Sequence, residues 1–174
     1  MTNSNVKMQV MAALFAAACA VLSQITIPIQ PVPISLGSLG VLMAGGFLGR
    51  RYGFLSLVIY LLLGAAGVPV FSMLRGGLHV FAGPAGGFIV GYAPMAFAVG
   101  WLTEKLGYTF PRLVIAIFLG NLVCYMFGIP WFMYLTRTEL WATLVLCVFP
   151  FIPGDLAKII FSAFLINRYR SKWL

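Results

Sequence analysis

Apolar residues run along this chain in long uninterrupted stretches, and the polar ones gather in short clusters between them. The pattern predicts six membrane-crossing helices, over residues 8–26, 35–49, 53–66, 85–102, 111–128 and from about 153 to 167. A straight crossing takes about 20 residues. The second and third stretches, parted by Arg50 and Arg51, are short by that measure: either they borrow flanking residues or they stop short of a full crossing. Pro111 at a first-turn position marks a helix start. Gly67-Val-Pro and Gly128-Ile-Pro read as a glycine cap followed by proline, closing the third and fifth stretches. Residues 138–149 are apolar apart from Glu139 and its flanking Thr, but only about three turns long, which predicts a helix lying over the protein at the membrane surface.

Composition sharpens the picture. Hydrophobic residues make up 62% of the 174-residue chain and charged ones only 8%, against about 25% charged in a soluble domain. Such a chain cannot cover a water-facing surface. The expected fold is all-α: one polytopic membrane domain over residues 1–174, a six-transmembrane-helix bundle held in the lipid bilayer. One lysine precedes the uncharged stretch 8–26, which is long enough to span, and no A-x-A site follows a short core. The start of the chain is therefore not read as a cleavable signal.

The formal charge of +8 is distributed for membrane orientation and not for nucleic acid. Six crossings put Lys7, Arg50, Arg51, Lys105, Arg112, Arg168, Arg170 and Lys172 on the side of the termini, and Arg75 and Arg137 on the other. The positive-inside rule then sets both termini in the cytoplasm. Cys19, Cys124 and Cys147 stand isolated in apolar stretches without metal-ligand spacing, as small hydrophobes.

Asp155 and Lys158 are the charges that do not fit a lipid environment. A charge at mid-membrane costs about 2.5–3.5 kcal/mol even on insertion scales. At i, i+3 the two share one helical face, and Pro153-Gly154 sets Asp155 in a first turn, where the helix dipole favours an anion. Asn121 and Tyr125 share a stripe of the fifth stretch. Three outer loops face the same end: 27–34 with three prolines and Gln30, 67–84 with Arg75, His79, Phe71 and Phe81, and 129–149. Two readings stay open at this point. The pair and its polar neighbours bind a small guest, or Asp155 and Lys158 only neutralise each other while Asn121 bonds between helices, Tyr125 packs, Arg75 is solvated and His79 is a satisfied loop residue.

No G-x-x-x-x-G-K-[ST] phosphate loop occurs, and no nucleophile–base set is visible around the single histidine, so no catalytic residue and no metal site are expected. Ala12, Ala16 and Ala20 form one small-residue row and Ala13 and Ala17 another, with Gly83, Gly87 and Gly91 making a third. Such rows let helices approach closely, within the bundle or against another membrane protein.

Three segments in order, Gly67-Val-Pro-Val-Phe71, Gly83-Pro-Ala-Gly-Gly87 and Phe151-Ile-Pro-Gly-Asp-Leu-Ala-Lys158, resemble the BioY family, the biotin-specific S components of energy-coupling factor (ECF) transporters. The resemblance covers nearly the whole chain. It implies capture of biotin from outside a bacterial plasma membrane, no cofactor, and assembly with a transmembrane coupling subunit and two ATP-hydrolysing subunits. It further implies that Asp155 and Lys158, with Asn121 and Arg75, touch the ligand, that residues 27–34 gate it, and that Ala12, Ala13, Ala16 and Ala17 dock on the coupling subunit. Phe71, Phe81 and Tyr92 are candidates to enclose the biotin rings. The alternatives are an S component for another vitamin, a structural subunit with no ligand, and an intramembrane enzyme using His79.

Overall fold

The computed structural model describes residues 2–29 and 31–173, so Gln30 of the first outer loop lies outside the described residues, as does the side chain of Lys172. The described chain forms helices α1 (Thr2–Gln24), α2 (Gly37–Ala65), α3 (Gly86–Leu106), α4 (Phe110–Thr136), α5 (Leu140–Cys147) and α6 (Ile152–Trp173). A short antiparallel ribbon, β1 (Thr26–Ile27) with β2 (Ile34–Ser35), pairs Thr26 with Ser35 between α1 and α2. By length and composition α1, α2, α3 and α4 can each cross a membrane, and α5 with α6 pass the same test together across a 56° bend.

The stretch α2 is two helices joined at a kink. Gly49 takes φ 77° and ψ −178° inside it, a combination open essentially to glycine alone. The chain reverses there. Gly53 sits against the carbonyl of Ala44 and the Cα of Gly45. Gly37 lies against Ser23, and Ser23 bonds Tyr60 at 2.9 Å. In a straight helix Gly37 and Tyr60 would stand about 34 Å apart. The two short stretches expected on either side of Arg50-Arg51 are thus the two arms of α2, residues 37–48 and 50–65. Glu104 of α3 fixes the reversal, accepting the Arg50 backbone N–H at 2.9 Å and pairing with its Nε at 3.3 Å.

Small residues hold the bundle and large ones face outward. Gly45 meets the Ala96 carbonyl and Val99, and Gly100 meets the backbone of Gly49 and Arg50, so α2 and α3 touch main chain to main chain. Gly87 and Gly91 seat Trp131, Phe127 and Cys124 of α4, while Gly83 precedes α3 and accepts the Trp131 indole N–H at 3.0 Å. The small-residue row 83–91 therefore packs inside the bundle. Leu62, Met126 and Phe161 are among many large apolar side chains left exposed, the arrangement of a protein whose solvent is lipid.

Two expectations are corrected. Gly128-Ile-Pro does not end the fifth span: α4 continues through Pro130 to Thr136 and stops at Arg137, whose φ of 57° is left-handed. Gly128 lies directly against the Phe88 ring, where a Cβ would collide. It is a contact point and not a cap. Gly67, by contrast, is the expected cap of α2, with φ 97° and the next N–H bonding the Leu63 carbonyl at 3.1 Å. The second correction concerns α1. Ala12 and Ala16 are fully buried in the core and cannot dock on a partner, because their row, with Cys19, packs on the first arm of α2. Ala13 and Ala17 face outward.

The reversal yields a direct expectation. Gly49→Ala places a Cβ against the Glu104 carboxylate on a backbone that L-residues avoid, and should cost roughly 1–3 kcal/mol. Thermal unfolding in detergent should show a lowered midpoint. A wild-type midpoint would mean that the α2 turn does not need glycine.

Candidate functional site

The α6 helix begins within the apolar chain, and Asp155 occupies its first turn. Its carboxylate collects donors from two helices. Oδ2 accepts the Tyr125 hydroxyl at 2.6 Å and the Asn121 amide at 3.0 Å, both from one face of α4. Oδ1 lies 3.4 Å from the Lys158 ammonium one turn on. Lys158 in turn donates to Ser38 Oγ at 2.9 Å, at the start of α2. The side chains of Asp155 and Lys158 are 14% and 7% exposed, so the pair is effectively out of solvent. A buried ion pair is tolerated when its remaining polar capacity is met, and here each partner's shortest bond goes to a neutral group. The direct contact is long, which leaves both charges able to share a further polar partner.

These groups close one end of a chamber. A recess of about 60 Å³ is bounded by Asp155, Lys158, Asn121, Tyr125, Ser38 and Phe151, among others. Val32, Pro33, Ser35, Phe88 and Tyr92 border both this recess and a larger cavity of about 410 Å³, a volume in the range of small-molecule sites. Tyr60, Phe71 and Ile89 wall the larger cavity, and Ser72, Arg75 and His79 come to it from the loop after α2. A third hollow of about 290 Å³ shares Pro31, Pro33, Arg75 and Pro84 with it and adds Pro28, Ile29 and Met73. The succession runs from an ionic floor through aromatic and aliphatic walls to a cationic rim.

Local hydrogen bonds hold the roof. The β1–β2 ribbon carries Pro31 to Pro33 over the cavity, and Leu36 N–H bonds the Ile25 carbonyl at 3.0 Å. In the second loop Phe71 and Arg75 exchange backbone bonds of 3.0 and 3.3 Å, and Gly77 N–H reaches the Gly64 carbonyl at 2.7 Å. Phe71 itself is buried against Gly64, with its ring edge-on to Tyr60.

Asp155, Lys158, Asn121 and Tyr125 meet as a cluster, as expected. Phe71, Tyr92 and Arg75 line the larger cavity with His79. Phe81 does not: its ring stands edge-on to Phe71, 5.3 Å away, as second-layer support. Sequence reasoning missed Ser38, Ser35, Tyr60 and Phe88. A hydroxyl near the start of an otherwise apolar, glycine-rich stretch was the available signal for Ser38. Among the described residues no three of His, Cys, Asp and Glu gather as metal ligands.

A helical bundle that turns large apolar side chains outward, and encloses a roofed chamber with an ionic end, defines a multi-pass membrane protein shaped to hold a small molecule of mixed polarity. A model of the BioY family matches residues 1–173, and the chain belongs to that family. It is 41% identical to the biotin transporter BioY of Rhizobium etli over 90% of this chain and 89% of that one. It is 35% identical to a probable biotin transporter BioY of Pyrococcus horikoshii, over 90% and 91% of the two chains. The fold matches the crystal structure of an S component for biotin from an ECF-type ABC transporter with a TM-score of 0.90, at 32% identity, covering 98% of this chain and 94% of that one.

Removing one charge of the floor should harm the fold more than removing both. Lys158→Met strands a buried carboxylate, a loss of about 3–5 kcal/mol, whereas Asp155→Leu with Lys158→Met removes the desolvation problem as well. Unfolding midpoints of the ligand-free variants in detergent check the order; a double variant less stable than the single one contradicts it.

Proposed function

We propose that this chain is the biotin-binding S component of an ECF transporter, taking biotin from the outer side of a bacterial plasma membrane. The observation that carries the proposal is the order of chemistry along the chamber, in a chain related to biotin transporters over nearly its whole length. Biotin has a ureido group with two N–H donors and a carbonyl, a fused apolar sulfur ring, and a carboxylate tail. The floor offers a carboxylate for the ureido N–H groups and an ammonium and amide for its carbonyl. Phe88, Tyr92 and Val32 suit the fused rings, and Arg75 at the rim suits the tail. A guest that meets every buried polar group avoids the penalty of leaving one unpaired.

The topology follows the charges. The α1 helix, the two arms of α2, α3, α4 and the bent α5–α6 pair make six crossings, with both termini cytoplasmic. Arg50, Arg51, Lys105, Arg112 and Arg168 then lie inside, and Arg75 and the chamber mouth outside, as the positive-inside rule asks. Each arm of α2 is shorter than the roughly 30 Å hydrocarbon core, and the ribbon and second loop fill the outer depth it leaves. The chain has no phosphate loop, so the energy for release inward comes from partners: a transmembrane coupling subunit and two ATP-hydrolysing subunits. Ala13 and Ala17 on α1 are the docking face that remains.

Two measurements test this. Asp155→Asn should weaken biotin binding by about 1–3 kcal/mol through loss of a charged hydrogen bond, measured by calorimetry on detergent-purified protein; unchanged affinity removes Asp155 from the site. Ala13→Trp with Ala17→Trp should abolish co-purification with the coupling subunit while biotin affinity stays at the wild-type value. Persistent co-purification places the docking face elsewhere.

A further inference from the structure

The last turn of α1 makes an unusual set of contacts with the chamber roof. The Gln24 amide nitrogen donates to the carbonyls of Ala20 at 3.0 Å, Phe71 at 3.2 Å and Pro69 at 3.4 Å. Its amide oxygen accepts the backbone N–H of Leu74 at 3.0 Å. Only one orientation of the amide satisfies both sides, because the nitrogen faces acceptors and the oxygen faces a donor. One side chain thus bridges the entry and the far limb of the turn 69–74, which leads directly into Arg75. Met73 and Leu74 within that turn hold left-handed backbone, φ 64° and 54°. Such strain persists only where surrounding contacts over-determine it, and the Leu74 bond to Gln24 is one such contact. The neighbouring Ser23 adds a second tie, through Tyr60 at 2.9 Å, and the Tyr60 hydroxyl also donates to the Val70 carbonyl at 3.2 Å.

We infer that Gln24 is a positioning residue for ligand retention: it clamps the 69–74 turn to the end of α1 and thereby holds Arg75 at the rim of the chamber. Gln24 does not itself line the cavity. The helix that carries it also presents Ala13 outward, roughly 17 Å along its axis. The clamp therefore ties the roof of the chamber to the same rigid rod that exposes the proposed docking face. The inference rests on the proposed biotin function for its ligand and on Arg75 for its readout.

The test uses the full chain in detergent, with biotin and biotin methyl ester as probes. Gln24→Leu keeps much of the volume and removes all four bonds. Biotin release should be roughly tenfold faster, and the preference for biotin over its ester should fall to that of Arg75→Ala. Combining Gln24→Leu with Arg75→Ala should then give no further loss of that preference. A merely structural role would lower the unfolding midpoint and leave the preference intact. A folded Gln24→Leu with wild-type release or wild-type preference overturns the inference. Should that variant fail to fold, amide exchange in the wild-type protein decides: Leu74 N–H should be protected, and exchange as fast as an unbonded loop amide overturns the clamp. A wild-type chain that binds no biotin defeats the proposed function instead, and the Leu74 amide still reports on the clamp.

Discussion

Everything distinctive about this molecule follows from a carboxylate and an ammonium kept away from water. Lys158 is buried and Asp155 nearly so, in a bundle whose other buried polar side chains are uncharged, and lipid offers neither of them a partner. The fold answers by bringing three helices together at that point. The α4 helix supplies Tyr125 and Asn121, α2 supplies Ser38, and the bend before α6 sets Asp155 in a first turn. Each of these groups satisfies part of the pair without saturating it. The same unsaturated capacity that makes the pair expensive is what lets a polar guest be recognised there.

The chamber above the pair exists because the helices around it are interrupted. A straight α2 would cross in one rod and leave no room. Reversed at Gly49, it contributes two short arms, and the loops beyond their ends line the cavity. Those loops are irregular backbone, which an apolar surrounding tolerates where it lines a cavity and its bonds are met internally. The ribbon, the Phe71–Arg75 exchange and the Gln24 contacts meet them here.

Much of this was legible in the sequence, for identifiable reasons. Proline-glycine ahead of Asp155 announced the start of α6, i, i+4 spacing joined Asn121 to Tyr125, and Arg50-Arg51 marked the reversal. Each is a local signal. What could not be read was non-local. Ser38 meets Lys158 across 120 residues, and nothing in either neighbourhood says so. Ala12 and Ala13 are equally small, and only the position of α2 decides that one is buried and the other free. Gly128-Ile-Pro failed because the same glycine that can cap a helix can also admit a ring, and the Phe88 side chain decided between them. Phe81 was misplaced by one layer: a loop aromatic was identifiable, but not which of two stacked rings would face the cavity.

The tight contacts of Gly45, Gly49 and Gly100 at the opposite end carry a consequence of their own. With main chain meeting main chain there, α2 and α3 have no side chains between them to act as a bearing. Any opening at that end must therefore carry the two helices as one body.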